Sequence, residues 1–206
     1  RNAGLLAEYE ADLKGRGNTP NTISFYMRIL KAVYNRAVED GLTEQRHPFK
    51  SVYTEVEKTM KRALSLNDIR RIKGLDLSLE PNLDYARDMF LFCFYTRGMS
   101  FIDMAYLRKK DLQNGTLSYR RRKTGRPLSV TLTPEAMILV KKYMNRDPSS
   151  PYLFPLLKSR EGTKEAYREY QLALRHFNYQ LELLGRFLGL KDRLSSYTAR
   201  HTWATT

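Results

Sequence analysis

The sequence predicts a mainly α-helical protein with a small antiparallel β-sheet, an α+β fold, on three observations. Apolar residues recur at helical spacing along most of the chain. Between residues 111 and 132 the period changes to alternation, with an Asn-Gly hairpin signal in LQNGTLSYRRR and β-branched residues in KTGRPLSVTL. The 206 residues, 42% of them hydrophobic, are enough for one large or two small domains with a substantial core.

Two helices are predicted to come first. An apolar face in NAGLLAEYEADLKGRG is followed by a second one in TPNTISFYMRILKAVYNRAVEDG. Thr19 and Pro20 are a helix start signal and Gly41 is a stop signal, so the pair is expected to form an αα-hairpin. Residues 43–61 carry proline, mixed charge and little periodicity, which is typical of a linker and places a domain boundary near residue 60.

Three helices are predicted before the sheet. Ser65 with Asp68, and Ser100 with Asp103, have capping-box spacing, and each pair would begin a short helix. Residues 82–98 are apolar nearly all round, which indicates a buried central helix that ends at the glycine.

Three more helices are predicted after the sheet. Thr133 and Pro134 restart helical structure, and residues 163–189 form a long helical region. Ser195 or Ser196 is expected to cap a last helix. The second part of the chain is therefore predicted to place helices around one small sheet.

Charge is concentrated in that second part. The net charge is +14, of which residues 61–206, with 27 Lys and Arg against 14 Asp and Glu, carry +13. The stretch LRKKDLQNGTLSYRRRKTGR contains eight basic residues and a single acidic one, Asp111. So asymmetric a run is typical of a phosphate-binding surface. The eight residues are Arg108, Lys109, Lys110, Arg120, Arg121, Arg122, Lys123 and Arg126.

Several functional classes are disfavoured. The longest apolar run, MFLFCFY, is far shorter than the roughly 20 residues of a membrane span, and the sequence begins with no signal pattern, so we expect a cytoplasmic protein. Cys93 lies alone inside that run and is expected to be a buried thiol. The histidines, His47, His176 and His201, are dispersed, so no metal or other cofactor is expected.

Arginines and lysines on separate elements are the groups that remain for chemistry. Guanidinium groups bind phosphate oxygens bidentately and stay charged as a transition state gains negative charge. A lysine can protonate a leaving hydroxyl. This set of groups points to phosphoryl transfer without a metal.

Three stretches resemble successive boxes of the tyrosine recombinase (phage integrase) catalytic domain, in the family's order: YTRGMSFIDMAYLRKKDL, RRKTGRPLSVTLTPE and SSYTARHTWAT. The first and third are also similar to integrases of Bacteroidetes mobile elements. The resemblance covers roughly residues 62–206, and the preceding hairpin is similar to the later half of the family's core-binding domain. It implies a partial helical, SAM-like DNA-binding domain with a linker over 1–60 and a DNA breaking-rejoining catalytic domain over 61–206.

The resemblance implies a site-specific recombinase or integrase of a mobile element or prophage. Members of the family cleave DNA by attack of a tyrosine on the scissile phosphate, which gives a 3′-phosphotyrosyl bond and a free 5′-hydroxyl. Two arginines hold the phosphate, a β-hairpin lysine is the general acid, and a histidine three residues before the second arginine assists proton transfer. Lys123 falls in the lysine position and Arg200 in the second-arginine position.

Two positions depart from the family pattern. Ser100 stands where the first arginine is usual, and Tyr197 stands in the histidine position. Arg97, one helical turn upstream, is a candidate for a substitute guanidinium and equally for a surface ion pair. For Ser100 a capping role is favoured over phosphate contact, although a helix N-terminus is itself an anion site. Tyr197 could bind the phosphate or move a proton, and it is not interpreted as the nucleophile.

His201 and Trp203 belong to the same box as Arg200, and packing or support is favoured over chemistry for both, with His201 counted among the DNA-binding residues. In the family the nucleophile follows the second arginine by tens of residues. We therefore expect the 206 residues to be a fragment that begins partway through the core-binding domain, lacks the nucleophile and only binds DNA.

Two functions stay open from the sequence, a recombinase and a DNA-binding protein that keeps the fold but has lost catalysis. A weaker third is a relative of type IB topoisomerases. The expected partners are double-stranded DNA, further protomers of the same protein assembled on it, and accessory DNA-bending proteins.

Overall fold

The structure is a computed structural model and describes residues 2–57 and 63–205. The chain divides into two compact units, Arg1–Met60 and Lys61–Thr206. Across the described ranges the helices and strands are α1 Asn2–Gly15, α2 Pro20–Glu39, α3 Leu66–Lys73, α4 Pro81–Tyr95, α5 Phe101–Ala105, β1 Leu112–Gln113, β2 Thr116–Arg120, β3 Pro127–Thr131, α6 Pro134–Tyr143, α7 Lys164–Phe187 and α8 Thr198–Trp203. Within the same ranges, no helix is both long enough and apolar enough to cross a membrane.

The first unit is built on the predicted helical hairpin. The Thr19 side chain accepts a hydrogen bond from the Thr22 backbone, and Pro20 occupies the first turn of α2, as the start signal indicates. Gly41 follows the helix with a φ of 72°, a left-handed conformation that favours glycine. The buried core of the unit consists of Leu13, Ile23, Met27, Phe49 and Val52.

The interpretation of residues 43–61 as a linker was wrong for its first half. Phe49 and Val52 are buried against α1 and α2, so this segment supplies part of the hydrophobic core. The Tyr34 hydroxyl donates to the Glu44 carbonyl at 2.7 Å and accepts from the Arg46 backbone at 2.9 Å. A short helical hairpin buries too little surface alone, and this irregular segment provides the additional apolar contact. The predicted linker also includes residues 58–61, which lie outside the described residues.

The second unit surrounds α4. This helix is buried along most of its length and packs against α3, α6, α7 and α8. Ser65 forms the predicted capping box with Asp68 at the start of α3. Ser100 likewise caps α5, because its side chain accepts from the Asp103 backbone. These caps fix where the helices around α4 begin.

The last helix begins later than predicted. The expectation that Ser195 or Ser196 caps it was wrong, because α8 starts at Thr198 and Tyr197 is its flanking residue. Ser195 and Thr198 form a turn of their own, in which the Thr198 backbone donates to the Ser195 carbonyl at 3.0 Å. The Thr198 hydroxyl also accepts from the Ser195 backbone at 3.1 Å, so this hydroxyl closes a turn ahead of the helix instead of capping it.

The sheet has the predicted antiparallel form, with strand order β1-β2-β3. Asn114 and Gly115 join β1 to β2 with φ angles of 49° and 75°, the backbone that an Asn-Gly turn favours. Leu117 pairs with Val130 on the buried face of the sheet. The connection from β2 to β3 is the loop 121–126, which projects from the end of the sheet.

Candidate active site

The position of Arg200 is fixed by a tight turn between α4 and α5. Its Nε donates to the Gly98 carbonyl at 2.7 Å. Gly98 has a φ of 67°, and a Cβ added there would lie 2.8 Å from the Arg200 Cα. A side chain at position 98 would thus displace the backbone of α8. The close packing of these two residues explains why the turn contains a glycine and where the guanidinium lies.

A cleft of about 390 Å³ beside this contact, which we call the Arg200 cleft, brings together four arginines from distant parts of the sequence. Arg97 belongs to the α4–α5 turn, Arg121 and Arg126 lie at the two ends of the loop 121–126, and Arg200 lies on α8. Tyr119 and Trp203 also line it. Four arginines that line one opening, beside apolar residues such as Leu128 and Val130, give it a positive charge that suits an anion.

Arg121 is the arginine of this cleft that lies closest to a carboxylate. Its Nε is buried without a hydrogen-bond partner in the described part of the chain and lies 4.0 Å from Asp103 Oδ2. The Asp103 side chain is only 1% exposed. The Ser100 hydroxyl donates to the same carboxylate oxygen at 2.5 Å. Ser100 thus caps α5 and binds Asp103, while Arg121 reaches the cleft.

A second cleft of about 450 Å³, the Arg108 cleft, adjoins the first and shares Tyr119 and Arg121 with it. Its basic lining residues are Arg108, Lys110, Arg120, Arg121 and Arg122. Arg108 and Arg122 both bind the Glu161 carboxylate. Lys109 lies outside both clefts as the described residues line them, and its ammonium donates to the Asp147 carbonyl. The basic stretch of the sequence therefore contributes to two adjoining surfaces, and three of its members, Arg108, Arg121 and Arg122, already lie within 4.0 Å of a carboxylate.

Lys123 lies near the middle of the loop 121–126 and is exposed. The base of the loop is closed by two backbone hydrogen bonds, from Arg121 to the Arg126 carbonyl at 2.9 Å and from Gly125 to the Arg121 carbonyl at 2.7 Å. Within the described chain Lys123 forms no ion pair and does not line either cleft. Its ammonium is therefore carried on a closed loop next to the arginines.

Tyr197, which precedes α8, contacts His201 within that helix. Their rings make an edge-on contact with centroids 4.6 Å apart, and Tyr197 is 56% exposed. Neither lines the Arg200 cleft in the described residues, whereas Trp203, one helical turn from Arg200, does. The structure thus brings Arg97, Lys123, Tyr197 and Arg200 to neighbouring elements but places only the arginines around one opening.

Two nearby ionisable groups are shifted away from reactivity. Burial, reinforced by the Asp103 carboxylate, raises the pKa of Tyr119 to about 12. Burial also raises the pKa of the Cys93 thiol to about 12, which disfavours the reactive thiolate form. No group of three or more His, Cys, Asp or Glu side chains is placed to hold a metal ion in the ranges that the structure describes.

Sequence reasoning counted Arg121 only among the general DNA-binding residues and overlooked Glu161. Arg121 differs from its neighbours because it follows β2 directly, at the point where the sheet meets α5 through Asp103. That position could have distinguished it from the other arginines of the run. Glu161 lies in an irregular segment before α7, and no local pattern relates it to residue 122.

Family models match both parts of the chain. A model of the phage integrase family matches residues 53–206, and a model of the phage integrase SAM-like domain matches residues 2–67. A comparison with curated proteins gives no significant match.

Solved structures share the fold at low sequence identity. A lambda integrase (75–356) dimer bound to a COC′ core site matches with a TM-score of 0.70 and 14% identity over 98% of this chain and 69% of that one. The integrase of the transposon Tn1549 bound to transposon right end DNA matches with 0.67 and 16% over 98% and 71%. A lambda integrase tetramer bound to a Holliday junction matches with 0.68 and 13% over 98% and 58%.

Proposed function

We propose, from the premise that this chain belongs to the phage integrase family, that the protein is a site-specific DNA recombinase of a mobile element or prophage. In this proposal it cleaves and rejoins DNA through a 3′-phosphotyrosyl intermediate. The observation that carries the proposal is the set of four arginines around the Arg200 cleft, because a scissile phosphate is the anion that such a site would hold. Family and fold confirm the resemblance seen in the sequence. The finer assignment to Bacteroidetes elements stays a prediction.

Arg200 and Arg121 are the two guanidinium groups that we assign to the scissile phosphate. Arg200 is held by the Gly98 carbonyl through its Nε, which leaves its two terminal nitrogens for an anion. Arg121 lies beside the buried Asp103 carboxylate and opens on both clefts. Arg121 therefore takes over the role of the first arginine, for which the sequence left Arg97 and Ser100 as candidates. Ser100 instead caps α5 and donates to Asp103.

Arg97 is the weaker candidate for this role. It is exposed, has a φ of 59° and forms no ion pair in the described part of the chain. An exposed guanidinium is screened by solvent and loses more side-chain entropy on binding than one that is already packed. We assign Arg97 to a supporting phosphate contact at the rim of the cleft.

Proton transfer is assigned to the loop and to α8. The attacking tyrosine releases its proton to solvent as its oxygen bonds to phosphorus. As the bond to the 5′ oxygen breaks, Lys123 gives its own proton to that oxygen, so the leaving group departs as a neutral hydroxyl. Tyr197 donates a hydrogen bond to the phosphate and packs on His201. At 56% exposure and outside the Arg200 cleft, Tyr197 is not assigned as the nucleophile. The attacking tyrosine is the residue that the experiment below would map.

The remaining basic residues are assigned to the DNA backbone. Lys110 and Arg120 line the Arg108 cleft, and Arg126 lines the Arg200 cleft. The phosphates of a duplex that crosses both clefts would therefore meet cations in each of them. Such contacts supply affinity and orientation more than sequence choice. Because the matched integrases were solved as dimers and tetramers on DNA, we infer that this protein also assembles with copies of itself on its sites. A contribution from accessory DNA-bending proteins stays a prediction.

Covalent trapping tests the function directly. Full-length protein would be incubated with a nicked suicide substrate from the ends of its element, and a protein–DNA adduct sought on a denaturing gel. We expect an adduct with the wild type, none with Arg200→Ala, and a slow reaction with Lys123→Ala. Arg168→Ala and Lys141→Ala, which change exposed cations of α7 and α6, should react normally. Peptide mapping of the adduct would identify the attacking tyrosine.

A binding protein without catalysis is the second candidate, favoured by the Ser100 and Tyr197 departures. It predicts tight DNA binding and no adduct with any substrate. The weaker topoisomerase reading predicts relaxation of supercoiled plasmids that carry no element sequence. These outcomes differ from that of the recombinase, so one set of substrates separates the three.

A further inference from the structure

Arg122, next to Lys123, attaches the loop 121–126 to the rest of its unit. Its backbone N–H donates to the buried Asp103 Oδ1 at 2.9 Å. Its guanidinium carbon lies 3.8 Å from the centre of the Tyr106 ring, within the range of a cation–π contact. Lys123 has no comparable contact in the described chain, so the position of its ammonium depends on how firmly Arg122 is held.

Glu161 completes the attachment of Arg122. One carboxylate oxygen binds the Arg122 guanidinium and the other binds that of Arg108. Arg108 is itself fixed, because its backbone N–H donates to Asp111 Oδ2 at 2.8 Å and it forms an isolated β-bridge with the buried Tyr152. Glu161 therefore connects the Lys123 loop to a segment that is anchored in the core.

The location of this carboxylate is unfavourable for DNA binding. Glu161 lines the Arg108 cleft among five basic residues, so it neutralises part of a surface assigned to phosphates. Its side chain is 31% exposed and that of Arg122 is 32% exposed, and ion pairs at such sites contribute little to folding stability. Neither DNA affinity nor folding stability explains why a glutamate occupies position 161. Its ion pair with Arg122, the neighbour of Lys123, does.

We propose that Glu161 is a positioning residue for the general acid, which holds Arg122 so that the loop presents Lys123 to the leaving 5′ oxygen. The inference rests on the proposed function for the role of Lys123. Glu161 acts through Arg122 and transfers no proton. Without it, the loop would remain attached through Asp103 and the ring of Tyr106 but would sample more conformations, and fewer of them would place the ammonium correctly.

Hydrogen exchange of the free protein tests the mechanical part of the inference. Glu161→Gln keeps the size of the side chain and removes its charge, so we expect the backbone amides of residues 122–125 to exchange several-fold faster. Glu165→Gln is the matched control, because Glu165 is an exposed glutamate of α7 with no ion pair in the described residues. Equal exchange in wild type and Glu161→Gln would overturn the proposal, whatever the enzymatic activity.

Adduct kinetics test the catalytic part. At saturating DNA we expect Glu161→Gln to form the adduct about tenfold more slowly, while DNA affinity stays equal or rises because an anion has been removed. A substrate with sulfur as the 5′-bridging atom has a leaving group that needs no proton, since thiols are far more acidic than alcohols. It should restore the rate of Glu161→Gln and of Lys123→Ala, and leave Arg200→Ala inactive.

The other outcomes are distinct. Faster cleavage together with tighter binding by Glu161→Gln would mean that Glu161 only competes with phosphate, and would overturn the positioning role. A slow rate that sulfur does not restore would mean that the carboxylate supports some other step, and would also overturn it. If the wild type forms no adduct, the proposed function fails, and hydrogen exchange still decides whether Glu161 holds the loop.

Discussion

The second unit contains two groups of charged side chains that are organised in opposite ways. Between α4 and α6, Asp88 lies at the centre of a network that balances its own charges. Its carboxylate accepts from Arg87 at 2.8 Å, from Lys142 at 2.7 Å and from Tyr143 at 2.8 Å. Asp84 binds the same three side chains. Two acids and two bases are thus paired, and the network joins two helices of the core.

The Arg200 cleft has the opposite arrangement. Four arginines line it, and in the described part of the chain the carboxylate nearest to any of them is Asp103, 4.0 Å from Arg121. Like charges held together without partners raise the free energy of the folded state. The comparison teaches that charges balanced within the protein serve its stability, while charges left unbalanced are held for a ligand from outside. The following predictions test that distinction, starting with the largest effect.

Removing the centre of the balanced network should cost the most stability. Asp88→Ala deletes a carboxylate whose side chain is 5% exposed and leaves Arg87, 12% exposed, and Lys142 to share the single carboxylate of Asp84. Breaking a fully buried pair costs about 3–5 kcal/mol, and because Asp84 still binds both bases we expect the lower end of that range, about 3 kcal/mol. Arg97→Ala in the cleft should change stability by less than about 0.5 kcal/mol. Chemical denaturation of both variants measures the contrast, and a similar loss in the two would contradict it.

Removing an arginine from the Arg200 cleft should reduce the rate of adduct formation strongly and change stability little. Arg121→Ala should slow adduct formation at saturating DNA by about 100- to 1,000-fold, which is typical when one donor to a transition-state anion is lost. Its stability should change little, since in the described residues its nearest carboxylate, Asp103, lies 4.0 Å away and keeps its hydrogen bonds from Ser100 and the Arg122 backbone. Arg121→Lys keeps the charge but not the bidentate fork, and should recover only part of the rate. Single-turnover kinetics beside thermal unfolding separate the two effects, and a normal rate in Arg121→Ala would remove Arg121 from the phosphate site.

Features that depend on neighbouring residues could be predicted from the sequence. Local signals predicted local structure correctly: Asn114 and Gly115 form the hairpin turn, and Ser65 forms its capping box. The apolar run in α4 correctly indicated the buried helix. In each case the deciding interactions lie within a few residues of one another, so periodicity and turn chemistry contain the information.

The structural features that the sequence did not predict depend on contacts between distant segments. Phe49 and Val52 fill a core from a stretch without periodicity, so composition alone classified them as linker. Arg121 lies beside Asp103, from α5, and lines a cleft with Arg200, more than 70 residues further along. Glu161 meets Arg122 across nearly 40 residues. A charge run can indicate a basic surface, but which of its members are paired is a property of the tertiary structure.

Crowding the turn beneath Arg200 should produce an intermediate effect. Gly98→Ala places a Cβ 2.8 Å from the Arg200 Cα at a φ of 67°. The left-handed backbone alone costs about 1–2 kcal/mol for a residue with a Cβ, and the clash adds about 1–3 kcal/mol. Gly189→Ala is a matched control, because Gly189 has a φ of 63° with no atom within 4 Å of the added Cβ.

The two glycine variants separate backbone strain from displacement of the site. Both should lower the unfolding midpoint, and Gly98→Ala should lower it further. Only Gly98→Ala should also reduce adduct formation at temperatures where both proteins are folded, because only there does the added atom meet α8. Equal activity in the two variants would show that Arg200 does not depend on the turn for its position.

The smallest effect is expected for the ionisation of Glu161. This carboxylate is paired with Arg108 and Arg122, as in the balanced network, but it lines a basic cleft. The hydrogen bond from Arg122, with a further contribution from Arg108, lowers the pKa of this carboxyl below its usual value of 4.5. A lowered pKa stabilises the folded state above the usual range and loses that contribution as the pH falls through the folded-state pKa. For partly exposed pairs it amounts to less than about 1 kcal/mol.

An NMR titration of the Glu161 carboxyl carbon would measure this shift. The pKa should rise towards its usual value in Arg122→Ala, and by less in Arg108→Ala, because the Arg122 hydrogen bond is the larger cause. The amides of the loop 121–126 should keep their protection from pH 8 down to pH 5 and lose it only as Glu161 becomes protonated. In Glu161→Gln the protection should be lower than in the wild type from pH 8 to pH 5, and it should show no further loss at the lower pH where wild-type Glu161 becomes protonated. A wild-type loop that loosens already at neutral pH would show that some group other than Glu161 holds it.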